Sequence, residues 1–245
     1  MAKPRCVLKL GGELLEQPAD LEHVARRIVA LAAKTSLVVV HGGGREIDAG
    51  LAAAGIPKRQ VDGLRVTDAS TLDVVVSVVA GAINTRLVGA VRKAGGRPVG
   101  LTGADAGVAV MRRSAPITSV AGERVDLGLV GSPVSGAPEL LTDLLRRGYV
   151  PIVACIGATR TGELLNVNAD TLAAHLAVTL RARRLVIAGG TAGVFDEQGA
   201  TIARLDARAA SRMIKSGSAN KGMVARSEEH TSELQSLAYL VCRLL

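Results

Sequence analysis

Short apolar runs alternate along the chain with longer segments in which apolar positions recur every three or four residues. The short runs, rich in Val, Ile and Leu, are typical of strands buried on both faces, and the longer segments are typical of amphipathic helices. Predicted strands occupy residues 6–10, 38–40, 61–67, 97–101, 149–154 and 184–188, and predicted helices occupy 19–33, 46–54, 68–93, 138–147, 170–180 and 206–214. This alternation predicts an α/β fold, a three-layer α/β/α sandwich around a mainly parallel sheet.

Two segments of the pattern carry further expectations. Residues 108–130 alternate loosely and contain turn residues, which predicts a β-hairpin or meander suited to a substrate lid. The predicted helix at 68–93 is apolar almost all round, so we expect one of its sides to face a partner subunit.

Two of the predicted strands run directly into glycines. Residues 38–40 lead into His41-Gly42-Gly43-Gly44, and the strand containing Lys9 leads into Gly11-Gly12. Bare backbone before a helix presents N–H groups to an anion, and a buried lysine is costly unless it meets one. Because parallel strands end at one edge of a sheet, both turns are expected to face the same ligand. Tight turns without a ligand, and a lysine extending from a strand end, remain the alternative.

The composition narrows the possible partners. The net charge is +8, but Lys and Arg are scattered, and the chain has one Phe, two Tyr and no Trp. Because stacking platforms are nearly missing, we predict no nucleic-acid partner and interpret the charge as solvated. We find no signal peptide and no apolar run of about 18 residues, so no membrane segment is predicted. Cys6 and Cys155 lie in strand-like runs, which predicts buried, reduced thiols in a cytoplasmic protein.

Several common motifs are missing from the sequence. It contains no G-x-x-x-x-G-K-[ST], and the glycine run does not extend to G-x-G-x-x-G because Ile47 stands at the last position. His-Gly-Gly-Gly also occurs in esterases, but that interpretation needs a G-x-S-x-G nucleophile turn, which the chain lacks. The four histidines are scattered, so no protein metal site is predicted.

Five segments, taken together and in order, resemble the amino acid kinase family over roughly residues 7–225. They are Lys9-Leu10-Gly11-Gly12, His41-Gly42-Gly43-Gly44, Gly63-Leu64-Arg65-Val66-Thr67, Gly131-Ser132-Pro133 and Asn166-Val167-Asn168-Ala169-Asp170. Within the family, the third and fifth segments resemble members that act on N-acetyl-L-glutamate. The resemblance implies transfer of the ATP γ-phosphoryl group to the side-chain carboxylate of that substrate, as a step of arginine biosynthesis. Mg²⁺ carried by the nucleotide is implied as well.

The resemblance also implies roles for individual residues. Lys9 is expected to contact the transferring phosphoryl group, with N–H groups of Gly11 and Gly12 beside it, and Asp170 to orient the catalytic lysines. Gly43 and Gly44 are expected to bind the reacting end of the substrate, Arg65 its α-carboxylate, and Asn166 another polar group of it. The nucleotide-binding residues implied are Gly190, Thr191, Ala192, Gly193, Ser218, Ala219, Asn220 and Lys221.

The resemblance has boundaries and departures. Residues 1–180 are expected to form a lobe for substrate binding and dimerisation, and 181–225 an incomplete C-terminal nucleotide-binding lobe. Residues 226–245 resemble the translation of a sequencing adapter and are expected to be a non-native tail after a truncation. Gly190 stands where the family usually has an acidic residue, and Arg226 stands where a Gly-Met-x-x-Lys pattern places its lysine. We therefore expect this chain to be poorly active or unstable.

Two other functional hypotheses stay open. The chain is a non-catalytic amino acid kinase module that senses ligands, or it is a kinase of another N-acyl amino acid or of carbamate. Lys9 lies close to Met1, so the extra N-terminal helix of arginine-sensitive hexamers is not expected, which favours an arginine-insensitive homodimer.

Overall fold

The computed structural model describes residues 3–189 and the backbone of residues 240–242. A six-stranded sheet forms its centre, in the order β14-β13-β1-β2-β10-β5, and every neighbouring pair is parallel. With strands numbered in chain order, these are β1 (Arg5–Leu10), β2 (Ser36–His41), β5 (Pro98–Thr102), β10 (Val150–Ala154), β13 (Arg184–Ala188) and β14 (Leu240–Cys242). The predicted parallel sheet is therefore confirmed.

Helices cover both faces of this sheet, as the α/β/α prediction requires. They are α1 (Pro18–Lys34), α2 (Gly44–Ala53), α3 (Ala69–Val76), α4 (Asn84–Lys93), α5 (Glu139–Arg146) and α6 (Ala169–Thr179). Helices α1 and α4 contact the sheet together, whereas α5 and α6 contact it on the opposite face. Short 3₁₀ turns occupy Gly12–Leu14 and Asp105–Gly107.

The core consists of two clusters because successive strand residues point to opposite faces of the sheet. Val7, Val38 and Val40 belong to the cluster under α5 and α6, and their neighbours Leu8 and Val39 belong to the cluster under α1 and α4. Such strands read as continuous apolar runs, which is why the sequence pattern identified them.

Residues 69–93 form one long helix with a change of winding in its middle. The Asp68 side chain caps its start by accepting from the Thr71 N–H, and Ser77–Ile83 between α3 and α4 is π-helical. Val75 and Val79 pack in one core cluster, and Ile83 and Leu87 in the other. By length and composition alone this helix is apolar enough to cross a membrane, which the sequence analysis had not anticipated. Its buried side chains contribute to both core clusters.

A second sheet and a hairpin lie beyond the central sheet. The strands β6 (Val110–Arg113), β9 (Gly131–Ser135), β11 (Ile156–Ala158) and β12 (Leu164–Asn166) pair in the order β12-β11-β6-β9, and β7 (Ile117–Thr118) pairs with β8 (Arg124–Val125). The hairpin predicted within residues 108–130 is therefore confirmed. Strand β6 pairs with β9, which lies beyond the predicted segment.

The single strand predicted at 61–67 is wrong. The segment forms a tight antiparallel hairpin of β3 (Gln60–Val61) and β4 (Leu64–Arg65). Asp62 and Gly63 have φ angles of 49° and 84°, the pair of positive values that an Asp-Gly hairpin turn requires. The dipeptide was the available signal, and the strand interpretation overlooked it.

Several predictions fall outside the described residues: the helix at 206–214, the eight nucleotide-binding residues and most of the tail. Leu240–Cys242 lie in the segment expected to be a non-native tail, yet they form edge strand β14, with Leu240 opposite Leu185. The apolar Leu-Val-Cys sequence suits such a strand. The origin of the tail stays a prediction.

Candidate active site

Lys9 lies near the C-terminal end of β1, between Val40 of β2 and Ile187 of β13. Its Nζ is 2.9 Å from Asp170 Oδ1, and the two side chains are only 9% and 10% exposed. Asp170 lies in the first turn of α6, where the helix dipole stabilises a carboxylate. The structure thus brings together the predicted catalytic lysine and the carboxylate predicted to orient it.

The two glycine turns touch each other. A Cβ placed on Gly12 would lie 3.2 Å from Gly43 Cα and 3.4 Å from Gly44 N. On the other side of the second turn, a Cβ on Gly42 would lie 3.4 Å from Ala169 Cβ, next to Asp170. Because the turns follow adjacent parallel strands, they meet at one edge of the sheet with Lys9.

Arg65 reaches the same turn from the β3–β4 hairpin. Its Nη2 donates to Asp48 Oδ1 at 2.5 Å and to the Gly44 carbonyl at 3.4 Å. The Arg65 side chain is 7% exposed, and Nη1 is buried and has no hydrogen-bond partner in the described part of the chain. A buried guanidinium with an unused end is costly unless an anion meets it.

Asp48 is a site residue that no sequence motif indicated. It accepts from Lys58 Nζ at 2.6 Å as well as from Arg65. Burial acts to raise the pKa of Asp48, but the hydrogen bonds from Lys58 and Arg65 outweigh it and hold the pKa below its ordinary value. The carboxylate therefore stays ionised and fixes the Arg65 guanidinium.

Asn166 is connected to Arg65 through Thr67. Asn166 Nδ2 donates to Thr67 Oγ1 at 3.2 Å, and Thr67 Oγ1 lies 3.4 Å from the Arg65 carbonyl. Thr67 is fully buried, and its N–H donates to the Leu127 carbonyl at 2.8 Å. Hydrogen bonds therefore join β12, the segment after β4 and the segment before β9 on one side of the site.

His41 was treated in the sequence analysis only as part of a motif. It is fully buried at the end of β2 and contacts the Gly42 carbonyl through Nδ1 and Asn84 through Nε2. Burial lowers the pKa of His41 to about 4, and the Arg86 charge adds to the effect, whereas the Gly42 bond opposes it. The imidazole is neutral at physiological pH, a feature that the sequence did not signal.

The predicted site residues that lie in the described part are connected through these contacts except for Gly11, whose N–H group donates to the Ala188 carbonyl at 2.7 Å. Gly190, Thr191, Ala192, Gly193, Ser218, Ala219, Asn220 and Lys221 lie outside it. Within residues 3–189, no group of three or more His, Cys, Asp or Glu side chains is placed to hold a metal ion. Cys6 and Cys155 are buried free thiols, as predicted, and burial raises their pKa values to about 11 and about 12.

Comparison with known sequences finds one family and relatives that share one name. A sequence model described as "Amino acid kinase family" matches residues 4–229. The acetylglutamate kinase of Ruegeria pomeroyi is 37% identical over 223 residues, which cover 91% of this chain and 75% of that protein. The acetylglutamate kinase of Anaeromyxobacter sp. (strain K) is 41% identical over 229 residues, which cover 91% of this chain and 84% of that protein.

Solved structures support the fold. The N-acetylglutamate synthase of Neisseria gonorrhoeae, complexed with coenzyme A and N-acetyl-glutamate, matches with a TM-score of 0.82 at 24% identity, over 100% of this chain and 55% of that one. The carbamate kinase of Giardia lamblia bound to AMP-PNP matches with a TM-score of 0.71 at 15% identity, over 99% and 93%. With the family match over most of its length and relatives at this identity, the chain belongs to the amino acid kinase family.

Proposed function

We propose that this chain is an acetylglutamate kinase, which moves the γ-phosphoryl group of ATP to the side-chain carboxylate of N-acetyl-L-glutamate. The product is an acyl phosphate, formed in the route to arginine. Relatives named acetylglutamate kinase at 36–41% identity support this assignment. The observation that carries it is the contact network that joins Lys9, both glycine turns and Arg65 at one edge of the sheet.

The chemistry asks the protein for positioning and for positive charge. A carboxylate oxygen attacks the γ-phosphorus while the bond to the β,γ-bridging oxygen breaks, and ADP leaves with that electron pair. A glutamate side chain has an ordinary pKa of about 4.3, so the attacking oxygen has no proton to lose and no general base is required. Both reactants are anions, so their approach requires groups that offset charge on the moving phosphoryl group.

Lys9 supplies such a group. Its ammonium is buried, next to the turn that contains Gly12 and Gly43, and Asp170 fixes its position. We propose that Lys9 contacts the transferring phosphoryl group and that Asp170 holds the ammonium in place before the substrates bind. The N–H group of Gly12 lies beside this ammonium along the chain and contributes a further donor, whereas the N–H group of Gly11 already donates to the Ala188 carbonyl at 2.7 Å.

The acceptor is held at three points. Arg65 binds the α-carboxylate through Nη1, which has no partner among the described residues, while Asp48 occupies Nη2. Gly43 and Gly44 bind the reacting carboxylate through backbone N–H groups. Asn166 binds a polar group of the substrate through its side-chain amide, one N–H of which donates to Thr67.

ATP binding rests on residues beyond the described part of the chain. We propose Gly190, Thr191, Ala192, Gly193, Ser218, Ala219, Asn220 and Lys221 as the nucleotide contacts, within a lobe that begins near residue 181. Mg²⁺ is expected to enter on the phosphates of ATP, where it would offset their charge. A cytoplasmic homodimer is the proposed state of the protein.

An ADP-release assay with a panel of acceptors tests the function. The purified chain is given MgATP with N-acetyl-L-glutamate, L-glutamate, N-acetyl-L-aspartate or carbamate, and thermal shift is measured with each acceptor alone. Release that depends on N-acetyl-L-glutamate supports the proposal. Stabilisation by N-acetyl-L-glutamate without ADP release favours the ligand-sensing alternative, and release with carbamate alone favours a different kinase.

The variant Arg226→Lys belongs in the same assay. It restores the ammonium of the family pattern at a position where arginine presents a planar fork. We expect Arg226→Lys to release ADP faster than the parent chain. Equal rates would remove Arg226 as a cause of low activity.

A further inference from the structure

The side chain of Asn84 makes two hydrogen bonds that fix its orientation. Asn84 Nδ2 lies 3.0 Å from the Ile152 carbonyl oxygen and 3.0 Å from His41 Nε2. A carbonyl oxygen only accepts, so the atom that faces Ile152 is the amide nitrogen. Its second N–H then points to His41 Nε2, which must be an acceptor.

This assignment determines where the imidazole proton is. A neutral imidazole with Nε2 as acceptor has its proton on Nδ1. His41 Nδ1 lies 3.2 Å from the Gly42 carbonyl oxygen, which accepts that proton. A relay of donors therefore runs from Asn84 through His41 to the backbone of the glycine turn.

The Gly42 carbonyl in turn sets the direction of the next N–H. The described part of the chain has no cis peptide bond, and in a trans peptide the carbonyl and the following N–H point to opposite sides. With the Gly42 carbonyl on the imidazole, the Gly43 N–H faces away from it. Within residues 3–189 this N–H has no hydrogen-bond acceptor, so it is available to an oxygen of a ligand.

The long helix holds the relay against the turn. Asn84 is 5% exposed and directly follows the π-helical stretch Ser77–Ile83. Ile83 Cδ1 fills the space that a Cβ on Gly43 would need, and Asn84 Oδ1 fills the space that a Cβ on Gly100 would need. A π-helical stretch shifts the phase of the residues that follow it and is common at functional sites. Here consecutive residues of the helix pack against the turn.

We propose that Asn84 is a positioning residue for phosphoryl transfer, acting through His41 to aim the Gly43 N–H at the reacting carboxylate. The inference rests on the proposed function for the identity of that substrate. It assigns to Asn84 an effect on the chemical step without contact with either substrate. The relay itself is a property of the protein alone, and it can be measured whether or not the chain turns over.

Two substitutions of His41 separate the two ends of the relay. In His41→Asn the side-chain amide occupies the place of Nδ1 and can still donate to the Gly42 carbonyl. In His41→Gln the amide occupies the place of Nε2, so the Asn84 contact is kept and the donor to Gly42 is lost. Asn84→Leu removes the first donor with little change of volume, and Thr85→Ala on the exposed side of the same helix is the control.

Steady-state kinetics with MgATP and N-acetyl-L-glutamate is the readout. We expect Asn84→Leu and His41→Gln to lower kcat at least tenfold. Removing one oxyanion donor lowers kcat by about 10²–10³-fold, and a donor that points in the wrong direction loses part of that effect. We expect KM for N-acetyl-L-glutamate to change less than about threefold. We expect His41→Asn to lower kcat less than His41→Gln does, because it keeps a donor to the Gly42 carbonyl, and Thr85→Ala to stay within about threefold of the parent in kcat. Equal kcat losses in the two His41 variants would overturn the proposal.

Nitrogen NMR of His41 tests the relay without turnover. An Nδ1-protonated neutral ring in the parent chain supports it, and an Nε2-protonated ring refutes it. If the parent chain releases no ADP with N-acetyl-L-glutamate, the proposed function fails, and the ring tautomer still decides the relay. If Asn84→Leu does not fold, the two His41 variants carry the kinetic comparison.

Discussion

The two ends of strand β1 treat positive charge in opposite ways. At the N-terminal end, Arg5, Lys34, Arg183 and Arg184 line a cavity of about 200 Å³. Lys34, Arg183 and Arg184 are exposed, and none of the four forms an ion pair within residues 3–189. At the C-terminal end, Lys9 is buried and paired with Asp170. The N-terminal end therefore has four cations without an ion pair among the described residues, whereas the C-terminal end has one cation that is buried and paired.

The difference shows which charges carry information about function. An exposed cation keeps its hydration and costs little, whereas a buried ammonium loses several kcal/mol of hydration that its partner and ligand must offset. The net charge of +8 therefore says little about partners, because most of it lies at positions like Lys34. Lys9 and Arg65 are the cations that the fold buries at the site, and each has a carboxylate beside it.

Removing the buried ammonium of Lys9 is expected to have the largest effect of the substitutions that compare the two ends of β1. Lys9→Met keeps most of the side-chain volume and removes the ammonium that lies 2.9 Å from Asp170 Oδ1. We expect kcat to fall about 10³-fold, since a charge aimed at the transition state is lost. We also expect the unfolding free energy to fall by about 3 kcal/mol, because a buried ion pair is lost.

Lys34→Met is the matched change at the opposite end. Its ammonium is exposed at the end of α1, so kcat should stay within about twofold of the parent, as for most surface substitutions. Rates of ADP release and urea unfolding curves of both variants check the pair. Similar losses in the two variants would show that burial of Lys9 has no catalytic meaning.

Arg65→Lys sharpens the comparison within the site. Lysine keeps the charge but lacks the fork that serves Asp48 and a substrate carboxylate together. We expect KM for N-acetyl-L-glutamate to rise about 10- to 100-fold, because one charge-assisted hydrogen bond to the substrate is lost, and we expect a smaller change in kcat. Arg59→Lys, at an exposed position before the same hairpin, is the control. An unchanged KM in Arg65→Lys would remove Arg65 from substrate binding.

Acid tests the third buried group, His41. In the unfolded chain its imidazole takes up a proton below about pH 6.5, whereas in the fold it does so only near pH 4, because the pKa of His41 is lowered to about 4. Between these values the unfolded state binds more protons, so stability falls as the pH falls. The loss from His41 should approach roughly 3 kcal/mol by pH 4.

Urea unfolding at pH 7 and pH 4.5 measures this loss. His41→Asn should show a smaller decrease between the two pH values than the parent chain does. His23→Asn, at an exposed position of α1, should keep the full decrease. An equal decrease in all three proteins would mean that His41 is not held neutral.

The smallest expected effects are changes in stability on replacing a glycine near the site and a glycine remote from it. Gly63 has a φ of 84° in the hairpin that carries Arg65, so Gly63→Ala should destabilise the fold by about 1 kcal/mol. Gly89 lies on the exposed side of α4 with free space at its Cβ position, so Gly89→Ala should stabilise by about 0.5–1 kcal/mol. Thermal unfolding of both variants gives the signs. The same sign in both would contradict the assigned turn.

The sequence was sufficient for five strands of the central sheet, but not for β14, and for the edge at which Lys9 and the glycine turns meet. Strands such as β1 and β2 are buried on both faces, so their apolar runs are continuous, and parallel pairing places their ends together. The hairpin at Asp62-Gly63 was missed because the apolar residues on both sides suggested one strand. The π-helical stretch was missed because it leaves no periodic signal of its own.

The partners of the site residues were harder to predict than the residues themselves. Asp48, Thr67 and Asn84 are ordinary polar residues in sequence, and their meaning comes from contacts between segments that are far apart in the chain. Asn84 meets His41 across 43 positions, and Asn166 meets Thr67 across 99. No local sequence pattern encodes such pairs, whereas a lysine within an apolar strand can be recognised from the sequence alone.

Trapping the product tests the central claim most directly. The chain, MgATP, N-acetyl-L-glutamate and hydroxylamine are incubated together, and hydroxamate is measured beside ADP. If the buried edge of the sheet transfers phosphate to the side-chain carboxylate, hydroxamate forms in equal amount with ADP in the parent and in Lys34→Met, and is lost in Lys9→Met. ADP without hydroxamate, or equal hydroxamate from Lys9→Met, would contradict the account.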